Sequence, residues 1–566
     1  MAIQSNFPAI KPSLLLDFAN TKQLDPRITF TRASTATFYD GVTTAKAEQN
    51  LLTYSQDFAN ANWTLYYGTL TVNSVVAPDG TTTADTLTPS GQYASVVQNA
   101  ATIVGQQYTY SVWVKRATGS NVMSLYNAAT GTDILSFTPT ASWVRYSATF
   151  TATTALDAIY IQDRNASGWT AWDMWGAQLE QRSAVTAYTA TTTQAITNFI
   201  PVLQTAASGV ARFDNNPTTG ESLGLLIEES RTNLVTYSEQ FDNAAWTKTN
   251  VSITANTIIA PDGTLTGDKI VENTSTTNHQ LYSAFSTSAQ SYTWSVYAKA
   301  GERQYLSLGF SGSSVRYAWF DLVAGTTSGA SNCTSAITPV GNGFYRCSIT
   351  ATALAETTFA QMFLGTSASG YAPSYTGNGY SGIYIWGAQL EVGAFATSYI
   401  PTVASTVTRA ADAASMTGTN FTSWYSQGAG TIFVDYVGNP NVTSAANQGI
   451  YIFGPGTYNA ANSNMGIINP AGLTVVTNLS GTTTSFSATP RVVAGRFATS
   501  YSPTTVSAVV NNGTVATGST GPSTGGITSL TFGITPSPIP SMNGSIKKFA
   551  FYPIAVTSAQ LQALTS

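Results

Sequence analysis

The chain has 566 residues, and only 9% of them are Asp, Glu, Lys or Arg, against the roughly 25% of an ordinary soluble protein. A net charge of −4 and a pI near 5.1 leave no basic footprint for nucleic acid, and no apolar run approaches the about 20 residues of a membrane span. Hydrophobic residues are a usual 43%, so Thr, Ser, Asn and Gly supply the polarity, residues that suit pleated strands and tight turns.

Residues 1–49 read as a leader or attachment segment. Its short Leu14–Leu16 patch lacks a charged stretch before it and a small-residue cleavage site after it, so no signal peptide is expected. At Asn50 a unit begins that the chain later repeats. NLLTYSQDFANANWT (50–64) returns as NLVTYSEQFDNAAWT (233–247), a shift of 233 − 50 = 183, and APDGT at Ala77 returns at Ala260 with the same shift. YTYSVWVK at Tyr108 answers YTWSVYAK at Tyr292 (292 − 108 = 184), and MWGAQLE at Met174 answers IWGAQLE at Ile385 (385 − 174 = 211). Element order is kept while the later half of the second copy lengthens, which marks a duplicated folding unit. The division is then 50–190 for the first copy, 191–232 for an apolar connector that adds strands along a domain flank, 233–402 for the second copy and 403–566 for a different last unit. Residues 50–188 and 233–399 are expected to superpose, with mismatch concentrated around Gly309 to Tyr380.

Within each copy the period is two. Tyr108, Tyr110, Val112 and Val114 alternate with polar neighbours, as do Tyr292, Trp294, Val296 and Ala298, the pattern of half-buried antiparallel strands. No helical stripe of useful length occurs in either copy. In the last unit, Asn511-Asn512-Gly513 writes a hairpin between Val506–Val510 and Thr514–Thr517. The chain then gives a strand, a break at Pro553 and a short helix capped near Thr557 or Ser558.

The repeated opening, the PDG turn, the Tyr108 and Tyr292 strands and the WGAQLE closing strand, with TSYIPT and TRAAD after it, resemble the carbohydrate-binding-module-like β-sandwiches of tailed-bacteriophage virion proteins over residues 50–412. From GTIFVDYV at Gly430 through RVVAGRF at Arg491 to NGSIKKFAFYP, the last unit resembles a laminin-G or concanavalin-like lectin sandwich, and LLLDFANTKQLDPRITFTRAST resembles leaders of phage structural proteins. The resemblance implies an all-β chain: two duplicated jelly-roll-type antiparallel β-sandwiches followed by a concanavalin-like β-sandwich. It further implies a non-enzymatic tail fibre, receptor-binding or decoration protein on the virion surface, assembled in the host bacterial cytoplasm, with other virion proteins and a host cell-surface glycan as partners. A homo-oligomer, a trimer by preference, follows from phage fibres burying one face against symmetry mates and from the small charge repulsion of this surface. A purely structural head decoration or fibre-attachment protein and a glycan depolymerase are the alternatives, because such sandwiches also serve as plain building blocks.

Chemistry-bearing residues are sparse. His279 is the only histidine and matches Ser95 or Val96 in the first copy, so zinc-enzyme sites lack ligands and a surface or turn histidine is expected. Cys333 and Cys347 lie symmetrically about Val340; a hairpin turning at Gly341–Gly343 would set them across from each other, as a bridge or, in a reducing cytoplasm, as two thiols. Asp163, Asp173, Asp242 and Asp321 do not recur as a pair between copies, and no catalytic residue is assigned. Trp113 and Tyr297 hold the same place on the polar face of equivalent strands, with Lys115 and Lys299 two residues on. Either these rings stack on a sugar, or a connector or neighbouring subunit covers them. Trp63, Trp246, Trp175 and Trp386 recur and read as core.

Modules of the resembled kind often hold a structural calcium, which maps to Glu180 and Glu391 with Asn50 or Asn233 nearby; no other cofactor is implied. The opening acids do not align, Gln56-Asp57 standing against Glu239-Gln240, which favours hydrogen bonding of these glutamates to backbone at a strand end.

Overall fold

The computed structural model describes residues 8, 10–165, 167–352, 356–438, 448–454, 462–469, 472–479, 482–488, 494–519, 526–532 and 542–566. Arg491–Val493 of the RVVAGRF motif and the first residues of the leader lie outside this set. The chain is all-β: two duplicated jelly-roll-type sandwiches followed by a third, concanavalin-like one, every sheet antiparallel. Among the described residues no helix is long and apolar enough to cross a membrane.

The first sandwich stacks Thr132–Phe137, Met123–Asn127, Leu156–Asp163, Ser95–Ala101 and Thr64–Tyr66, in that order, on Val144–Thr151, Gln107–Thr118, Ala171–Glu180, Ala84–Pro89 and Gly68–Val75. The second sandwich repeats both orders and adds one strand at one end of each sheet, Thr326–Ser331 and Thr334–Gly341. These two strands, with the short strand Tyr375–Thr376, fall in the region where mismatch is expected; the partner of that last strand, Thr276–Thr277, lies before it. The alternating residues Tyr108, Tyr110, Val112 and Val114 enter one core, and Tyr292, Trp294, Val296 and Ala298 the other.

The polar framework is duplicated too. Asn50 and Asn233 each donate to two backbone carbonyls at 2.8–3.0 Å, and the Trp63 and Trp246 indoles donate to the Tyr54 and Tyr237 carbonyls at 2.9 and 3.0 Å. Trp175 and Trp386 are buried, but on the outer side of their sheets and outside the two sandwich cores. A bulge turns the strand there, with Gly176 and Gly387 at φ +64° and +63°, and Thr83 and Thr266 each accept an indole N–H at 3.1 Å.

Strand pairing crosses the five-part division read from the sequence. The leader strands Leu14–Leu16 and Thr29–Thr31 and the connector strands Phe213–Asn215 and Ser222–Ile227 extend the sheets of the last sandwich, while leader strand Ala36–Asn50 pairs with connector strand Ile196–Ala206. Leu14 and Leu16 of the apolar patch are therefore core of the last sandwich, while Leu15 points to solvent. A buried charge cluster ties these segments: Arg32 and Arg212 meet Asp412 at 3.0 and 2.6 Å, and Arg212 also meets Glu228 at 2.9 Å. Burial raises the Glu228 pKa, but the charges of Arg409 and Arg212 and bonds from Ser398 bring it down to about 2.

Three expectations change. The hairpin turns at Asn342–Gly343 and not about Val340, so the register sets Cys347 opposite Ile337; Cys333 lies outside the ladder, and both cysteines are free thiols. His279 is buried rather than at the surface, its ring 4.6 Å from that of Tyr375 on a loop strand that only the second copy has. The described part of the leader does not stand apart, since Leu14–Leu16 and Thr29–Thr31 complete the last sandwich and Ala36–Asn50 pairs with the connector.

The C-terminal helix Ser558–Thr565 starts at Thr557, where the side chains of Thr557 and Gln560 cap each other's backbone N–H.

Candidate functional site

The sheet face that carries Tyr297 is an internal surface, and the one that carries Trp113 is partly covered. Trp113 packs against Trp175 at 5.3 Å and Tyr188 at 5.5 Å, with the Arg145 guanidinium 4.3 Å over its ring; burial brings Arg145 down to about 10. Tyr297 repeats the arrangement with Trp386, Tyr399 and Arg346. Each arginine donates to a backbone carbonyl, Thr186 or Thr397, and to a serine hydroxyl, Ser111 or Ser295. Tyr297 is only 3% exposed, because the paired strands Ala36–Asn50 and Ile196–Ala206 lie over it; Trp113 is half-buried. Lys115 pairs with Asp173 at 3.1 Å, and Lys299 pairs with Glu48 of the covering strand. Of the two roles open to these rings, cover by the leader and connector strands describes Tyr297.

Glu180 and Glu391 are fully buried, and each accepts both the amide and the hydroxyl of the threonine six residues on, Thr186 or Thr397, the amide at 3.0 Å in both copies. With each carboxylate closing a loop onto its strand end, the calcium reading does not fit these residues. Among the described residues no three of His, Cys, Asp and Glu gather as a metal site. The candidate acids also have local duties. Asp163 accepts the Asn165 and Thr170 amides, Asp173 accepts the Thr86 hydroxyl and Asp321 accepts the Val323 and Ala324 amides.

The other sheet of the first sandwich presents a different surface. In register across it, Tyr160 stands opposite Tyr126 on one neighbour and Val97 on the other, and Tyr66 follows beyond Val97's strand. Because Ile159 and Ile161 fill the core, the pleat sends Tyr160 outward. Its ring stacks near Tyr66 at 6.1 Å and meets Tyr126 edge-on at 5.9 Å. Tyr66 is 42% exposed and Tyr67 62%. At the end of this row Arg164 lies 5.1 Å from the Tyr126 ring and 6.0 Å from the Tyr93 ring, and pairs with Asp133 at 2.6 Å. The surface therefore offers a run of ring faces with a charged donor and acceptor at one end.

None of these tyrosines was singled out from the sequence. The signal was present: Tyr126 in SLYNA and Tyr160 in AIYIQ stand where the core-facing neighbours are Leu and Ile, so a large ring occupies the outward phase. What the sequence does not carry is that Tyr66, on another strand, joins the same row.

No protein-family model matches the chain, and a search of curated proteins finds no relative. Among solved structures, the chain is similar to the Ruminococcus gnavus IT-sialidase CBM40 bound to α2,3-sialyllactose, at 18% identity over 26% of this chain and 87% of that one, with a TM-score of 0.22. It is also similar to the tandem CBM22-1–CBM22-2 domain of Paenibacillus barcinonensis Xyn10C, at 12% identity, 62% and 99% coverage and a TM-score of 0.20. A third likeness is to the LG1–3 region of the laminin α2 chain, at 10% identity, 83% and 97% coverage and a TM-score of 0.16.

Proposed function

We propose that this chain is a non-enzymatic surface protein of a tailed-phage virion, of tail-fibre or receptor-binding type, which holds a host surface glycan on its first sandwich. The observation that carries this reading is the outward-facing row of exposed Tyr66 and half-buried Tyr160 and Tyr126, with Arg164 and Asp133 at its end. A sugar ring turns an apolar face of C–H groups toward an aromatic ring, while its hydroxyls seek donors and acceptors at the rim. By analogy with aromatic contacts elsewhere, each ring is worth about 1–2 kcal/mol. The virion setting, the other virion proteins as partners and assembly as a homotrimer rest on the sequence resemblance and on the charge-poor surface.

Purified protein retaining host polysaccharide without releasing new reducing ends is the expected result, with Tyr66→Ala and Tyr160→Ala each weakening retention about tenfold. Unchanged retention in the double variant would remove the row from the reading, and new reducing ends would turn it to the depolymerase alternative. Light scattering should give a trimer mass that moderate salt leaves unchanged.

A further inference from the structure

A cavity of about 350 Å³ lies where the leader, the connector, the second sandwich and the last sandwich meet. Its wall includes Tyr39 of the leader, Asp214 and Asn215 of the connector, Tyr297 and Arg346 of the second sandwich, and Thr338. The polar groups are not used up by one another. Asp214 accepts the Tyr39 amide at 2.8 Å through one oxygen, the Tyr39 hydroxyl has no hydrogen-bond partner, and Asn215 spends its amide N–H on the Gly220 carbonyl at 3.1 Å while its side-chain oxygen stays unpaired. Unpaired buried donors and acceptors are rare in native folds and are costly unless something satisfies them.

Size and charge narrow what would do so. The volume is at the lower end of ligand pockets, about 300–1,000 Å³, too small for a chain of sugars but enough for one ring. The wall's cation, Arg346, already donates to Thr397 and Ser295, while Asp214 contributes a carboxylate, so the lining disfavours a phosphate or a second carboxylate. Burial pushes the Asp214 pKa up to about 6, the Tyr39 amide offsetting part of the rise, so an added anion would raise the cost of ionising it further. The unpaired Tyr39 hydroxyl and Asn215 side-chain oxygen, in a wall that also holds tyrosine rings, match the hydroxyls and apolar face of a neutral pyranose.

We infer that this junction is a second ligand site, separate from the outward-facing tyrosine row, which takes a single neutral sugar ring as a free monosaccharide or as the terminal unit of a glycan. Four segments distant in sequence build its wall, so occupancy holds them together and stabilises the assembled chain with the logarithm of ligand excess.

The test is thermal unfolding and calorimetric titration of the full chain with glucose, galactose and N-acetylglucosamine, and with oligosaccharides that end in each. The expected result is a rise in Tm of about 2 °C at a hundredfold excess over Kd for at least one sugar. The rise should persist in Tyr66→Ala/Tyr160→Ala, which separates this site from the row. It should vanish in Asp214→Asn and in Thr338→Trp, the latter filling the cavity from an exposed position that leaves the core alone. A response to the monosaccharide assigns the site to free sugar, and a response to oligosaccharides alone assigns it to chain ends. No response to any sugar, or a response that survives both cavity variants, overturns the inference.

Discussion

The ring of Tyr371 lies against Gly309, within 3.6 Å of where a β-carbon would stand. Gly309 faces Gln361 across the ladder as Tyr126 faces Tyr160 in the first sandwich, so the second copy has lost a ring from the strand and laid one from a loop in its place. Tyr371 donates its hydroxyl to Gln361 at 2.5 Å and packs on Phe363 and Tyr317. One face of the duplicated pair is open and the other is occupied by its own chain.

From that difference, Tyr371→Ala should lower stability by about 1–2 kcal/mol and leave glycan retention unchanged, whereas Tyr160→Ala should do the reverse. Urea unfolding and polysaccharide retention, measured on both variants, separate the two roles. Loss of retention in Tyr371→Ala would mean that the second face binds as well.

Asp412→Ala removes the shared partner of Arg32 and Arg212, both fully enclosed, and should cost about 3–5 kcal/mol. The leader, the connector and the last sandwich meet at this carboxylate, so unfolding should shift as one transition. A transition for the last sandwich that stays in place would show that the cluster does not couple them.

Because Glu391 closes its loop onto Thr397, chelation with EDTA should leave Tm unchanged, while Glu391→Ala should lose about 1–3 kcal/mol through the stranded amide and hydroxyl. Stabilisation by added calcium, abolished in Glu180→Ala/Glu391→Ala, would restore the metal reading.

Stability should also depend on pH in two opposed ways. Burial raises Asp268 from 3.8 to about 6 even though it accepts the Phe241 and Asn256 amides, and its counterpart Asp85 is raised as well. The folded chain therefore binds more protons than the unfolded chain between about pH 4 and 6, and this contribution fades as pH rises through 6. Glu228, lowered from 4.5 to about 2, contributes stability above about pH 4.5 that is lost on further acidification. Calorimetry should show Tm rising from pH 7 to about 5 and falling below about 4, with the acid limb flattened in Glu228→Gln. A Tm that falls steadily from pH 7 to 5 would contradict the Asp268 assignment.

Local repetition determined much of this protein. Spacing between Asn50 and Asn233, the alternation at Tyr108 and Tyr292 and the closing WGAQLE strands are short-range patterns, and each unit's strands pair mostly within it, so two like sandwiches and the place of the longer loop were readable without coordinates. The Asn511-Asn512 turn and the Thr557 cap are more local still. Tertiary structure decided which faces are covered. Trp113 and Tyr297 have the same phase as exposed residues, and only the packing of Ala36–Asn50 and Ile196–Ala206 over the second sandwich removes Tyr297 from solvent. Leu14–Leu16 and Asp412, Tyr66 and Tyr160, Tyr39 and Asp214 meet their partners across long stretches of chain. Hydrophobic pattern tells which side of a strand is apolar, but what lies on the other side is set by loop closure and docking free energy summed over distant segments.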